Sequence, residues 1–176
     1  PRIPAGTVAR PAPSSLTPHS GPITRRLGLQ FTAGPLVGLT SIDAGDTGPV
    51  AGRLLLSRGT ATLALFTGEL PSHDAETWRM PPLAYAPNAD GSFELRYEGA
   101  ILEFPCLTPF LDLENGLATG KLVSADVRLR VAAAPGLRTE YFATARGHVR
   151  LEDDVYDVDT VALVSAGGTA FGARPS

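Results

Sequence analysis

PNADGSFELRYEG, residues 87–99, contains the pattern that decides the fold. Asn88, Asp90 and Gly91 are turn formers, and after them Phe93, Leu95 and Tyr97 alternate with Glu94, Arg96 and Glu98. A period of two puts the apolar side chains on one face of an extended strand and the charges on the other. The same logic returns downstream in SADVRLRVAAA, residues 124–134, where Val127, Leu129 and Val131 oppose Asp126, Arg128 and Arg130. It returns again in TEYFATARGHVRLEDDVYDVDTVALVSA, residues 139–166, which reads as two long strands joined through residues 152–154.

Upstream, PLVGLTSI (35–42), VAGRLLLS (50–57) and TATLALFTG (60–68) are apolar runs separated by DAGDTGP and by the Arg58-Gly59 turn. Such runs and breaks form an antiparallel meander. A helical apolar stripe free of Pro and Gly is found only weakly, around residues 72–80. The expected class is all-β, an antiparallel up-and-down β-barrel of the lipocalin-like kind with about eight to ten strands, because closure removes the exposed edges that a long open sheet would leave. Residues 1–22 are crowded with Pro, Ser and Thr and read as an arm, with a lid over the barrel mouth as its functional version. Residues 23–176 then make one barrel domain.

Composition narrows the function classes. A chain of 176 residues, 43% of them hydrophobic, fills one core. A formal charge of -3 without a basic stripe argues against nucleic acid as a partner. Cys106 is the single cysteine, so neither an intramolecular disulfide nor a cysteine metal cage can form, and a reducing, cytoplasmic setting is the expectation. No apolar run reaches the roughly 20 residues of a membrane-spanning helix. His19, His73 and His148 have no metal-ligand spacing, and no metal or cofactor is expected. P-loop, dinucleotide, GxSxG and HExxH signatures are absent.

The candidate site residues follow from where a barrel would put them. Tyr97 shares a face with Phe93, and a tyrosine buried in a barrel needs a partner for its hydroxyl, so it can orient a ligand oxygen. Glu103 lies in AILEFP between Leu102 and Phe104; a carboxyl in an apolar cavity keeps its proton near neutrality and can donate it. Trp78, Phe93 and Tyr141 complete an aromatic lining. His148 has the strand parity of Phe142, Thr144, Arg146 and Arg150, which reads as an outward face, or as a general acid or base if that strand is inverted. Asp112 and Glu114, in TPFLDLENG (108–116), share a face if extended, but Asn115-Gly116 follows directly and makes them the polar shoulder of a turn.

Taken together, FELRYEG, FLDLENGLATG, GHVRLEDDVYDVD and the closing GGTAFGARPS resemble the lipocalin-related carotenoid hydratases (hydroxyneurosporene synthases) and their AttH-like relatives, over about residues 36–174. Phe110, Leu111, Asp112, Leu113 and Glu114 stand where that family has its Tyr-Leu-Asp-Leu-Glu-like stretch, and Phe171, Gly172 and Arg174 stand at its closing motif. Gly168, Thr169 and Ala170 replace the family's polar Asp-His-Ser run. Many relatives pair two barrels, whereas this chain has the length of one. The resemblance implies a barrel that shapes a polyene or polyketide; joined to the lining residues read above, it makes the expectation a cofactor-free cyclase or isomerase using Glu103 and Tyr97, with Trp78, Phe93, Tyr141 and His148 around the substrate. The alternatives are a non-catalytic carrier of an apolar small molecule, and an interaction module with a solid barrel. The mixed charge of the strands neither requires nor forbids a homodimer through the outer sheet face.

Overall fold

The alternation around Phe93 becomes one side of a pairing eleven positions long. In the computed structural model, which describes residues 25–44, 50–59, 62–70, 79–105, 119–133 and 139–167, ten strands are present. They are β1 (Arg25–Ala33), β2 (Leu36–Ala44), β3 (Val50–Arg58), β4 (Thr62–Leu70), β5 (Arg79–Met80), β6 (Leu83–Pro87), β7 (Phe93–Phe104), β8 (Lys121–Val131), β9 (Glu140–Leu151) and β10 (Asp154–Gly167). All pairings are antiparallel. The weak helical pattern at 72–80 is not realised where it is described, since Arg79 and Met80 form β5.

Sequential neighbours pair from β1 to β4 and from β5 to β10, and β1 pairs with β10. Closure comes from β4 meeting β7, through Leu63–Phe104, Ala64–Glu103 and Leu65–Leu102. The result is an eight-stranded antiparallel barrel of β1 to β4 and β7 to β10, with β6 and the two-residue β5 paired alongside β7 as additional strands. β7 is divided between two partners: residues 93–97 pair with β6, while residues 102–104 pair with β4.

The interior is packed by the inward half of each alternation. Leu36, Leu54, Leu83, Leu95, Val127, Val149 and Val164 are all 0% exposed, so no void large enough for water touches them from either side. These described side chains pack against one another as one apolar core. The reason is volume: an eight-stranded barrel has an interior about wide enough for its own side chains, and here β6 adds Leu83 and Tyr85 to it.

Two details show how the filling is achieved. Gly52 and Gly68 are direct cross-strand partners, and a Cβ on either would lie 2.8 and 2.7 Å from Met80 Sδ and Cε. The glycine pair is a socket for the β5 methionine. On β9, Gly147 has φ 149°, and a Cβ there would lie 1.9 Å from the Arg128 carbonyl oxygen of β8, an approach that only glycine permits.

Candidate functional site: the charged end of the barrel

Arg58 is the last residue of β3 and has the inward parity of Leu54 and Leu56. Glu103 lies directly opposite buried Ala64 on β4 and opposite Lys121 on β8. Asp154 and Tyr156 on β10 lie opposite buried Leu151 and Val149. Register thus aims five polar side chains at one end of the barrel. One step deeper on the same strands, the inward residues are the buried Leu56, Ile101, Val123 and Val158. The site is a charged rim over an apolar floor.

Arg58 is its hub. Its guanidinium pairs with Asp154, donates from Nη1 to the Tyr156 hydroxyl at 3.2 Å, and stands 3.8 Å from Glu103 Oε1 through Nη2. The hydrogen bond to Tyr156, with Asp154 beside it, holds the Arg58 pKa above its ordinary value. Lys121 Nζ donates to Glu152 Oε1 at 2.9 Å, and that hydrogen bond raises its pKa. Glu103 has the loosest partner of the group, and its side chain is 21% exposed.

The other candidates lie elsewhere. Tyr97 is inside the barrel, packed against Phe66 at 5.3 Å between centroids, and its hydroxyl donates to the Ala100 carbonyl at 2.7 Å. Burial pushes its pKa up to about 12. Phe93 is fully buried against Tyr85, whose hydroxyl donates to Thr40 Oγ1 at 3.2 Å and whose pKa burial raises. Tyr141 is half-buried at the opposite end of β9 from Leu151, and burial raises its pKa as well. His148 is on the outer face, between Arg128 and Asp157 in register. The structure therefore brings Glu103 together with Arg58 and Tyr156, and separates it from Tyr97, Phe93, Tyr141 and His148. Trp78, Cys106, Asp112, Glu114, residues 1–22 and the closing motif lie outside the described residues.

Outside the barrel, a concavity of about 500 Å³ lies between Pro82 and the arginines Arg96, Arg128, Arg130 and Arg146. Each of these is matched by a carboxylate: Glu94, Glu98 with Asp126, Asp90 and Asp159 respectively. This is a solvated ion-pair lattice, partly within and partly across strands, in which each pair is worth little. Among the described residues no group of His, Cys, Asp and Glu could hold a metal ion. No helix of the described residues is long and apolar enough to cross a membrane.

Fold and register define the class: a closed antiparallel β-barrel with a polar cluster at one end. No family model, curated protein or solved structure matches the chain.

Proposed function

We propose that the chain is a cofactor-independent isomerase or cyclase that works at the Arg58 end of its barrel, on a small molecule with an apolar body and a carbonyl or carboxylate oxygen. The observation that carries this reading is the convergence of Arg58, Glu103 and Tyr156 above an apolar floor. The motif likeness to barrels that shape polyenes points the same way. Arg58 and the Tyr156 hydroxyl donate to the substrate oxygen. Glu103 takes a proton from the carbon next to the carbonyl and returns it to another carbon, shifting a double bond or setting up ring closure. Placing donors where the enolate charge develops supplies several kcal/mol without a metal or coenzyme. The packed interior restricts the substrate to the rim and floor of that end. The partners on this reading are the small molecule and a second copy of the chain.

A non-catalytic carrier would use the same end, and one experiment separates the two. cis-Parinaric acid, a polyene carboxylate, is titrated by fluorescence, and an apolar enone in D₂O is followed by NMR for deuterium uptake. The expected result is that Arg58→Ala weakens parinarate binding at least about tenfold, while Glu103→Gln binds normally and slows deuterium uptake by about 10²-fold or more. Binding without any exchange identifies a carrier. Binding indifferent to Arg58→Ala removes this end as the site.

A further inference from the structure

Two cations stand next to Glu103, and each is engaged by a different acid. Lys121 lies directly opposite Glu103 in the β7–β8 register, yet its Nζ donates to Glu152 Oε1 at 2.9 Å. Arg58 approaches Glu103 Oε1 only to 3.8 Å, while its guanidinium is in contact with Asp154. Among the described residues that approach is the one ion-pair contact of Glu103, and it is longer than a hydrogen bond. Its partner on β4, Ala64, is apolar. A largely sheltered carboxylate beside two basic groups ordinarily closes onto one of them, since charge-assisted hydrogen bonds are the strong ones. Here both cations are drawn to the other side.

Both acids come from one short piece of chain. Leu151 ends β9, Glu152 and Asp153 make the turn, and Asp154 begins β10. The turn is fixed to the barrel wall, because Glu152 N donates to the Ser124 carbonyl of β8 at 2.9 Å. Glu152 is also the one non-glycine among the described residues with a positive φ, 53°. That left-handed conformation suits Gly or Asn better than a longer side chain, so a glutamate there carries a conformational cost. An outlier of this kind points to a role for the side chain that bears it.

We infer that the acidic turn is a positioning element: Glu152 and Asp154 hold Lys121 and Arg58 off Glu103, and so leave its carboxylate open to a substrate proton. The consequence for catalysis rests on the reading of Glu103 as the base, whereas the division of partners does not. Asp154 also anchors the guanidinium on the β10 side, where Arg58 Nη1 donates to the Tyr156 oxygen and Tyr156 keeps its own proton for the substrate. Without Asp154, Glu103 becomes the nearest carboxylate to Arg58, the pair closes, and the base is blocked.

Urea denaturation of the full chain tests it through a double-mutant cycle of Arg58→Met and Glu103→Gln, run in the wild type and again with Asp154→Ala. Circular dichroism confirms that each variant folds. The expected coupling is about twofold or less in the folding equilibrium constant of the wild type, and at least about fivefold with Asp154→Ala. The cycle of Lys121→Met and Glu103→Gln is expected to grow in the same way with Glu152→Gln. Coupling that stays equal in both backgrounds overturns the inference. Deuterium uptake by the enone is the second readout. Asp154→Ala is expected to slow it at least about tenfold and Asp154→Glu to return most of the rate, a rescue that a merely structural loss does not show. Uptake indifferent to Asp154→Ala overturns the inference as well. A wild type that shows the coupling change but no uptake removes Glu103 as the base and supports the positioning alone.

Discussion

Tyr97 donates its hydroxyl proton to the Ala100 carbonyl three residues along its own strand, so the group expected to orient a substrate is spent on its own backbone. Alternation placed it inside, as read from residues 93–97, but alternation says nothing about what a hydroxyl meets there. Its protonated form is favoured in the folded state, with the pKa raised from 10.0 to about 12. The associated stability is fully present below pH 10 and is lost as pH rises from there through about 12. Tyr85 shifts in the same direction from the same cause, burial. Spectrophotometric titration of the four tyrosines should therefore show part of the phenolate signal appearing only as the protein unfolds in alkali. Tyr97→Phe should cost about 1 kcal/mol at neutral pH, the net value of one hydrogen bond, and reduce the alkaline loss. Arg58 was legible in the sequence only as half of a turn with Gly59. Continuing the parity of Leu54 and Leu56 by one more step is the signal that would have found it.

Strands differ in how tightly they are specified. β9 and β10 pair at twelve positions through a two-residue turn, with Glu152 at φ 53° as such a tight turn demands. The strands' extents could be read almost residue by residue. Glycines inside strands could not, because their reason lies across the sheet. Gly147→Ala sets a Cβ against the Arg128 carbonyl, a backbone atom that cannot rotate away. Gly68→Ala meets only the Met80 Cε and the Phe66 ring, which can shift. Urea denaturation should show Gly147→Ala losing about 3 kcal/mol or more, against about 1 to 2 kcal/mol for Gly68→Ala.

Closure of the whole barrel rests on a short seam. β4 and β7 share three paired positions, against twelve between β9 and β10. Local opening follows the weakest set of shared hydrogen bonds. Native-state hydrogen exchange should therefore find the seam amides around Ala64 and Leu102 exchanging well before those of residues 156–164. Equal protection at both places would mean that the barrel opens only by global unfolding. Asp43 illustrates the same scale in electrostatics: it is 1% exposed, accepts from Arg26 Nε at 2.7 Å and stands 3.8 Å from Arg53 Nη1, so its buried carboxyl is held from both neighbouring strands.

The residues themselves determined the class of fold. Hydrophobic period, turn formers and a charge pattern without stripes are local quantities, and they specify antiparallel strands, their faces and their order. Tertiary structure alone decided which inward positions meet. Whether the barrel is hollow depends on the summed volume of side chains from all its strands, and Met80 entering the Gly52–Gly68 socket belongs to that sum. The company of Glu103 was decided in the same way. Arg58 lies 45 positions upstream and Tyr156 lies 53 downstream, and only barrel closure places all three at one end.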